Sequence, residues 1–103
     1  MNPISPLFYV ELQTGPRIVR ALLDRGGSAN FISDKTARDL QLKRHRLHEG
    51  QTFTAASGAP IPCTEFVSVY VIMHTVRFYL NLRVVPMHPT LILGAPFFTG
   101  STP

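Results

Sequence analysis

The 103-residue chain has no tryptophan, one cysteine, and six acidic side chains against ten lysines and arginines. With Cys63 alone there is no intrachain disulfide, which fits a reducing compartment. The thiol reads as a small strand filler, because no histidine is placed in the sequence to activate it. No apolar run approaches the roughly 20 residues that a membrane-spanning helix needs. Met1 leads straight into Asn2-Pro3 without the basic and apolar segments of a secretion signal. An intracellular location, cytoplasmic or inside a particle, is therefore expected, with no membrane partner. His45 and His48 have no cysteine or carboxylate at ligand spacing, so no metal site is expected. Gly26-Gly27 has no Lys-Ser/Thr follower to make a phosphate cradle, and no cofactor is expected. Internal repeats and low-complexity tracts are absent as well.

A content of 45% hydrophobic and 16% charged residues belongs to a folded chain. Short runs of valine, threonine and aromatics, broken by nine prolines and seven glycines, predict a mostly β protein. One domain over residues 1–103 is expected, large enough for a core and small enough to be marginal alone. The net charge of +4 comes largely from Arg17, Arg20, Arg25 and the run Lys43-Arg44-His45-Arg46. That run has no interleaved aromatics and reads as a solvated loop, so nucleic acid is not an expected partner.

Along the chain, Leu7–Leu12 and Arg17–Leu23 predict a hairpin around Gln13-Thr14-Gly15-Pro16. Asn30–Ser33 forms a short strand. Ser33–Leu40 predicts a helix capped by Ser33 or Asp34, with Ala37 and Leu40 on its apolar face and an Asp34–Arg38 pair outside. Leu42–Gly50 reads as a basic connector. Phe53–Ala56 and Ile61–Met73 bracket a small-residue tip, Ser57-Gly58-Ala59-Pro60. His74-Thr75 turns the chain into the alternating strand Val76–Val85, and Thr90–Leu93 enters Gly94 before a terminal helix opened by Pro96. The chain then ends at Gly100-Ser101-Thr102-Pro103 with no further strand.

The stretch Ala21-Leu22-Leu23-Asp24-Arg25-Gly26-Gly27-Ser28-Ala29-Asn30-Phe31-Ile32-Ser33 carries the chemistry. An apolar strand delivers one acid and is followed at once by two glycines. A carboxylate entering a core must be paired or shift its pKa. Glycines there report close backbone approach or a positive φ. Strand, acid, glycine turn and strand is one way to set a carboxylate on the floor of a cleft. From the local pattern alone, a hairpin with Asp24 in a solvated turn reads equally well.

This stretch resembles the active-site segment of the retropepsins, the aspartic proteases of retroviruses and LTR retrotransposons. Their hallmark is an apolar run, then Asp-Ser/Thr-Gly-Ala, then a short strand. Leu91-Ile92-Leu93-Gly94-Ala95-Pro96-Phe97-Phe98 resembles their second landmark, and Thr54–Pro62 resembles their flap hairpin. The resemblance implies a closed β-barrel with one or two short helices and a flap, working as a symmetric homodimer. It implies Asp24 and Gly26 as catalytic residues and an extended peptide or polyprotein as substrate. Gly27, Ser28 and Ala29 would line the floor of the peptide tunnel, and Ala56, Ser57, Gly58 and Ala59 its roof.

Such a protease needs two carboxylates sharing one proton. Asp34 and Asp39 fall on the helix and no aspartate follows, so the second carboxylate must be Asp24 of an identical chain. Arg25 departs from the family pattern, which has a hydroxyl residue at the dimer axis, and Gly27 replaces the usual alanine. A guanidinium there either pairs with Asp24 and depresses its pKa, or snorkels outward and leaves a weaker dimer. The expected result is a retained fold with reduced activity and dimer stability. The alternative is a catalytically silent module of the same fold that dimerises or binds peptides.

Overall fold

Alternation of buried and exposed side chains organises the computed structural model, which describes residues 8–55 and 57–99. The expected strand start at Leu7, hairpin residue Ala56 and tail 100–103 lie outside the described residues. Seven strands and two short helices follow in the order β1 (Phe8–Thr14), β2 (Arg17–Leu23), β3 (Phe31–Ser33), α1 (Asp34–Asp39), β4 (His45–Thr54), β5 (Pro60–Met73), β6 (Val76–Val85), β7 (Leu91–Leu93) and α2 (Ala95–Thr99).

The strands hydrogen-bond in the order β1-β2-β7-β3-β6-β5-β4. Gln13 of β1 pairs back onto Ile72 of β5, so six strands close into a barrel and β4 hangs outside on β5. Alternate residues point inward and fill it: Leu12, Ala21, Ile32, Val67, Val71, Leu80, Leu82, Leu91 and Leu93 are all at most 2% exposed. Truncating any of these leucines to alanine would cost about 2–5 kcal/mol through lost burial and the cavity left behind.

Two turns follow from local chemistry. Gly15 takes a φ of 56° between β1 and β2, where a side chain would be strained. His74 and Thr75 have φ of 49° and 68°, the pair of left-handed residues that a two-residue hairpin between β5 and β6 requires. The α1 helix begins as its sequence predicts: Ser33 Oγ accepts from Thr36 N at 3.0 Å, and Ala37 is buried. A helix this short is held by packing and by its cap.

The expected basic connector is corrected in part. From His45 onward it is strand, paired to β5 with a register shift between Arg46 and Gln51. Its side chains are almost all exposed, so pairing with β5 rather than hydrophobic alternation makes it a strand. Nor is the Lys43–Arg46 run simply a solvated loop. Arg44 is half-buried and donates to Asp34 Oδ1 at 2.6 Å, the Asp34 carbonyl at 3.1 Å and Glu65 Oε1 at 3.3 Å. The start of β4 is thereby tied to α1 and β5.

Candidate active site

Asp24 follows the last residue of β2, and its backbone is fixed on both sides. Its N–H donates to the Leu93 carbonyl at 2.9 Å, and its own carbonyl accepts from Gly27 N at 3.0 Å. The side chain turns back, so that Oδ1 accepts from Gly26 N at 3.2 Å. The sequence suggested an acid carried into the core. Instead, Asp24 is exposed on the single chain, and the apolar strand stops one residue before it. The carboxylate therefore bears no large desolvation cost within one chain.

Neither glycine has a positive φ, so handedness requires neither, and only at Gly27 is room short. A Cβ on Gly27 would sit 3.2 Å from the Asp24 carbonyl oxygen and 3.3 Å from its Oδ2, tighter than ordinary contact. One on Gly26 would meet Asp24 Oδ1 at an ordinary 3.6 Å.

A second turn, after β7, is laced to this loop. Ala95 N donates to the Gly27 carbonyl at 2.8 Å, and Gly94 N donates to Asn30 Oδ1 at 2.8 Å. Gly94 has no space for a side chain, because a Cβ would collide with the Ala29 carbonyl oxygen and come within 2.9 Å of that of Gly27. The two stretches singled out in the sequence thus form one rigid lattice around Asp24. Asn30, buried at 4% exposure, was not foreseen; a lone amide at the start of an apolar strand is the signal that marks it.

A groove of about 560 Å³ opens beside the lattice, floored by Asp24, Gly26, Gly27 and Ser28. Thr54, Ala55 and Ile61 reach it from the β4–β5 hairpin. Its walls are Phe31, Phe53, Val85, Met87, Pro89 and Ile92, with Phe31 edge-on to Phe53 at 4.7 Å. These apolar positions were not singled out from the sequence. Leu91-Ile92-Leu93 carries a usable signal, since a strand apolar on both faces has a second surface to cover.

The remaining expected residues divide. Ala29 is half-buried beneath Gly94 and does not line the groove. Ser57, Gly58 and Ala59 form the exposed hairpin tip, with Gly58 at a φ of 89° and its N–H on the Ala55 carbonyl at 2.8 Å; they too lie off the groove. Arg25 lies over the Phe98 ring, with Cζ 4.9 Å from the centroid. Among the described residues it makes no ion pair with Asp24.

Among the described residues Asp24 is the only titratable side chain lining the groove. Among the described residues no cluster of three or more histidines, cysteines or carboxylates could hold a metal ion. What the site offers is one hydrogen-bonded carboxylate at the mouth of an apolar groove, with a hairpin beside it.

A six-strand closed barrel with this laced pair of turns and an outlying hairpin is the retropepsin-like fold. The chain is similar to EIAV protease, solved with the inhibitor HBY-793, at a TM-score of 0.73 and 15% identity, over 98% of this chain and 93% of that one. The retroviral protease-like domain of Ddi1 from Leishmania major matches at a TM-score of 0.66 and 16% identity, over 93% of this chain and 76% of that one. A retropepsin-like aspartic protease from Rickettsia conorii matches at 0.65 and 18%, over 90% and 78%. No family model and no curated protein matches the sequence.

Proposed function

We propose that the chain is an aspartic endopeptidase that works as a symmetric homodimer, with one Asp24 from each subunit. The observation that carries this is the exposed Asp24 carboxylate, fixed by the laced turns at the edge of an apolar groove. One carboxylate cannot share a proton with itself, so the second comes from the twin chain. Together they hold one proton, because two adjacent like charges cannot both ionise cheaply. The ionised member takes a proton from a water whose oxygen attacks the scissile carbonyl carbon. The protonated member gives its proton to the carbonyl oxygen. The nitrogen then takes the proton that the first carboxylate drew from water and leaves as the C–N bond breaks. A hydroxyl of the intermediate returns its proton to the second carboxylate and becomes the carbonyl of the new acid.

Gly27 and Ser28, on the groove floor, would hold the main chain of an extended peptide, and the hairpin tip at Ser57, Gly58 and Ala59 would close over it as a flap. The apolar walls suit large hydrophobic side chains beside the cleaved bond. A polyprotein is the substrate expected of a retrotransposon or retroviral enzyme, with cytoplasm or a virus-like particle as its setting.

Arg25 favours a second reading, a silent module that binds peptide without turnover, since it replaces the hydroxyl expected under the dyad. Mass-spectrometric cleavage of a peptide library, run beside sedimentation, separates the two. Cleavage that falls on the order of a thousandfold or more in Asp24→Asn supports the enzyme. Peptide binding without cleavage, unchanged by Asp24→Asn, refutes it.

A further inference from the structure

Arg25 carries a permanent charge one residue from Asp24, yet its guanidinium rests on Phe98 and makes no ion pair with that carboxylate among the described residues. We propose that Phe98 is a positioning residue: its ring holds Arg25 away from Asp24 and so leaves the carboxylate able to take and keep a proton. The inference rests on the reading of Asp24 as the catalytic acid.

The ring is itself anchored. Phe98 stands edge-on to Phe97 at 5.5 Å, and Phe97 packs on Phe78 of β6 at 5.4 Å. An aromatic file thus runs from the barrel wall to the guanidinium. Rings in such a file lose little further freedom when a cation settles on them, so the contact costs little to form.

Among the described residues the groove lining holds no titratable side chain except Asp24, β7 is Leu-Ile-Leu, and α2 carries neither acid nor base. Among these elements the attractive partners for Arg25 are the Phe98 face and the Asp24 carboxylate. An exposed cation–ring contact and an exposed ion pair are worth similar amounts. Removing the ring tips the balance toward Asp24, where a guanidinium lowers a carboxylate pKa.

The test is a carbon-13 NMR titration of the aspartate carboxyls in the full chain, at a concentration where sedimentation shows monomer. Asp34 and Asp39 serve as internal references. Phe98→Leu is expected to lower the Asp24 midpoint by about half a unit, roughly a threefold loss of proton affinity, discounted for exposure. Phe98→Tyr keeps a face and keeps the wild-type midpoint, and adding Arg25→Gln to Phe98→Leu restores it. Arg25→Gln alone leaves the midpoint unchanged, because the charge is already held off.

A folded Phe98→Leu with an unshifted midpoint overturns the proposal. So does a rise of about half a unit in Arg25→Gln alone, which would mean that the guanidinium already sits on Asp24. That second arm decides the matter even if Phe98→Leu does not fold. The readout needs no turnover, so a chain that cleaves no peptide refutes the protease reading while the titration still judges Phe98.

Discussion

The Gly94 amide donates to the Asn30 side-chain oxygen at 2.8 Å across 64 residues of sequence. Both groups are buried, so neither can turn to water if the other is lost. Asn30→Ala leaves the Gly94 N–H without a partner at a cost of about 1–3 kcal/mol. Urea unfolding reads that loss as a lower midpoint with an unchanged slope.

Gly94→Ala is expected to cost more. The added Cβ would meet two backbone carbonyl oxygens, of Ala29 and Gly27, which cannot swing away as a side-chain tip can. Overpacking against backbone costs about 3 kcal/mol or more, a large share of the marginal stability of a domain this size. Both the denaturation midpoint and the Asp24 environment should change, since Gly27 also accepts from Ala95 N. A variant as stable as the wild type would show that the laced turns do not constrain each other.

Arg25 should make dimerisation sensitive to salt. In the proposed symmetric pair two guanidinium groups would approach the axis, and their repulsion would be screened as the Debye length falls from about 10 Å at 0.1 M salt to about 3 Å at 1 M. Sedimentation should then show the wild-type dimer tightening as salt rises. Arg25→Ser should dimerise about tenfold more tightly, near 1.4 kcal/mol, with weaker salt dependence and higher cleavage activity. An Arg25→Ser chain that stays monomeric and inert would discredit the role given to this charge.

Asp34 gives the chain an acid-sensitive joint away from the groove. Hydrogen bonds from Arg44 first, and from Arg38 second, hold its carboxyl below the ordinary value. A depressed folded pKa contributes stability above the unfolded value, about 3.9, and loses it as the pH falls through the folded one. Asp34→Asn should therefore be less stable than the wild type at neutral pH and converge with it in acid. Because Asp34 is solvated, salt should shrink the difference. Thermal unfolding across that range checks the sign.

Elements whose apolar residues alternate are legible in the sequence itself. Val67 and Val71, like Leu80 and Leu82, face the core as their spacing predicts, and Ser33 caps α1. These are local matters: a two-residue or 3.6-residue period and a hydroxyl at a helix start act within a few residues. The strand His45–Thr54 was not legible over its first half. It has little alternation, and only β5 beside it satisfies its backbone.

What the sequence alone determined, then, is most of the strands, the placing of Asp24 before two glycines, and the single Asp-x-Gly turn per chain, for which dyad chemistry would need a twin. Tertiary structure decided that this carboxylate is exposed, that Asn30 and Gly94 hold its loop, and that Arg25 rests on Phe98. The division has a physical cause. Periodicity and turn chemistry are written into neighbouring residues, whereas a hydrogen bond across 64 positions, or a ring under a guanidinium, exists only once the barrel has brought distant segments together.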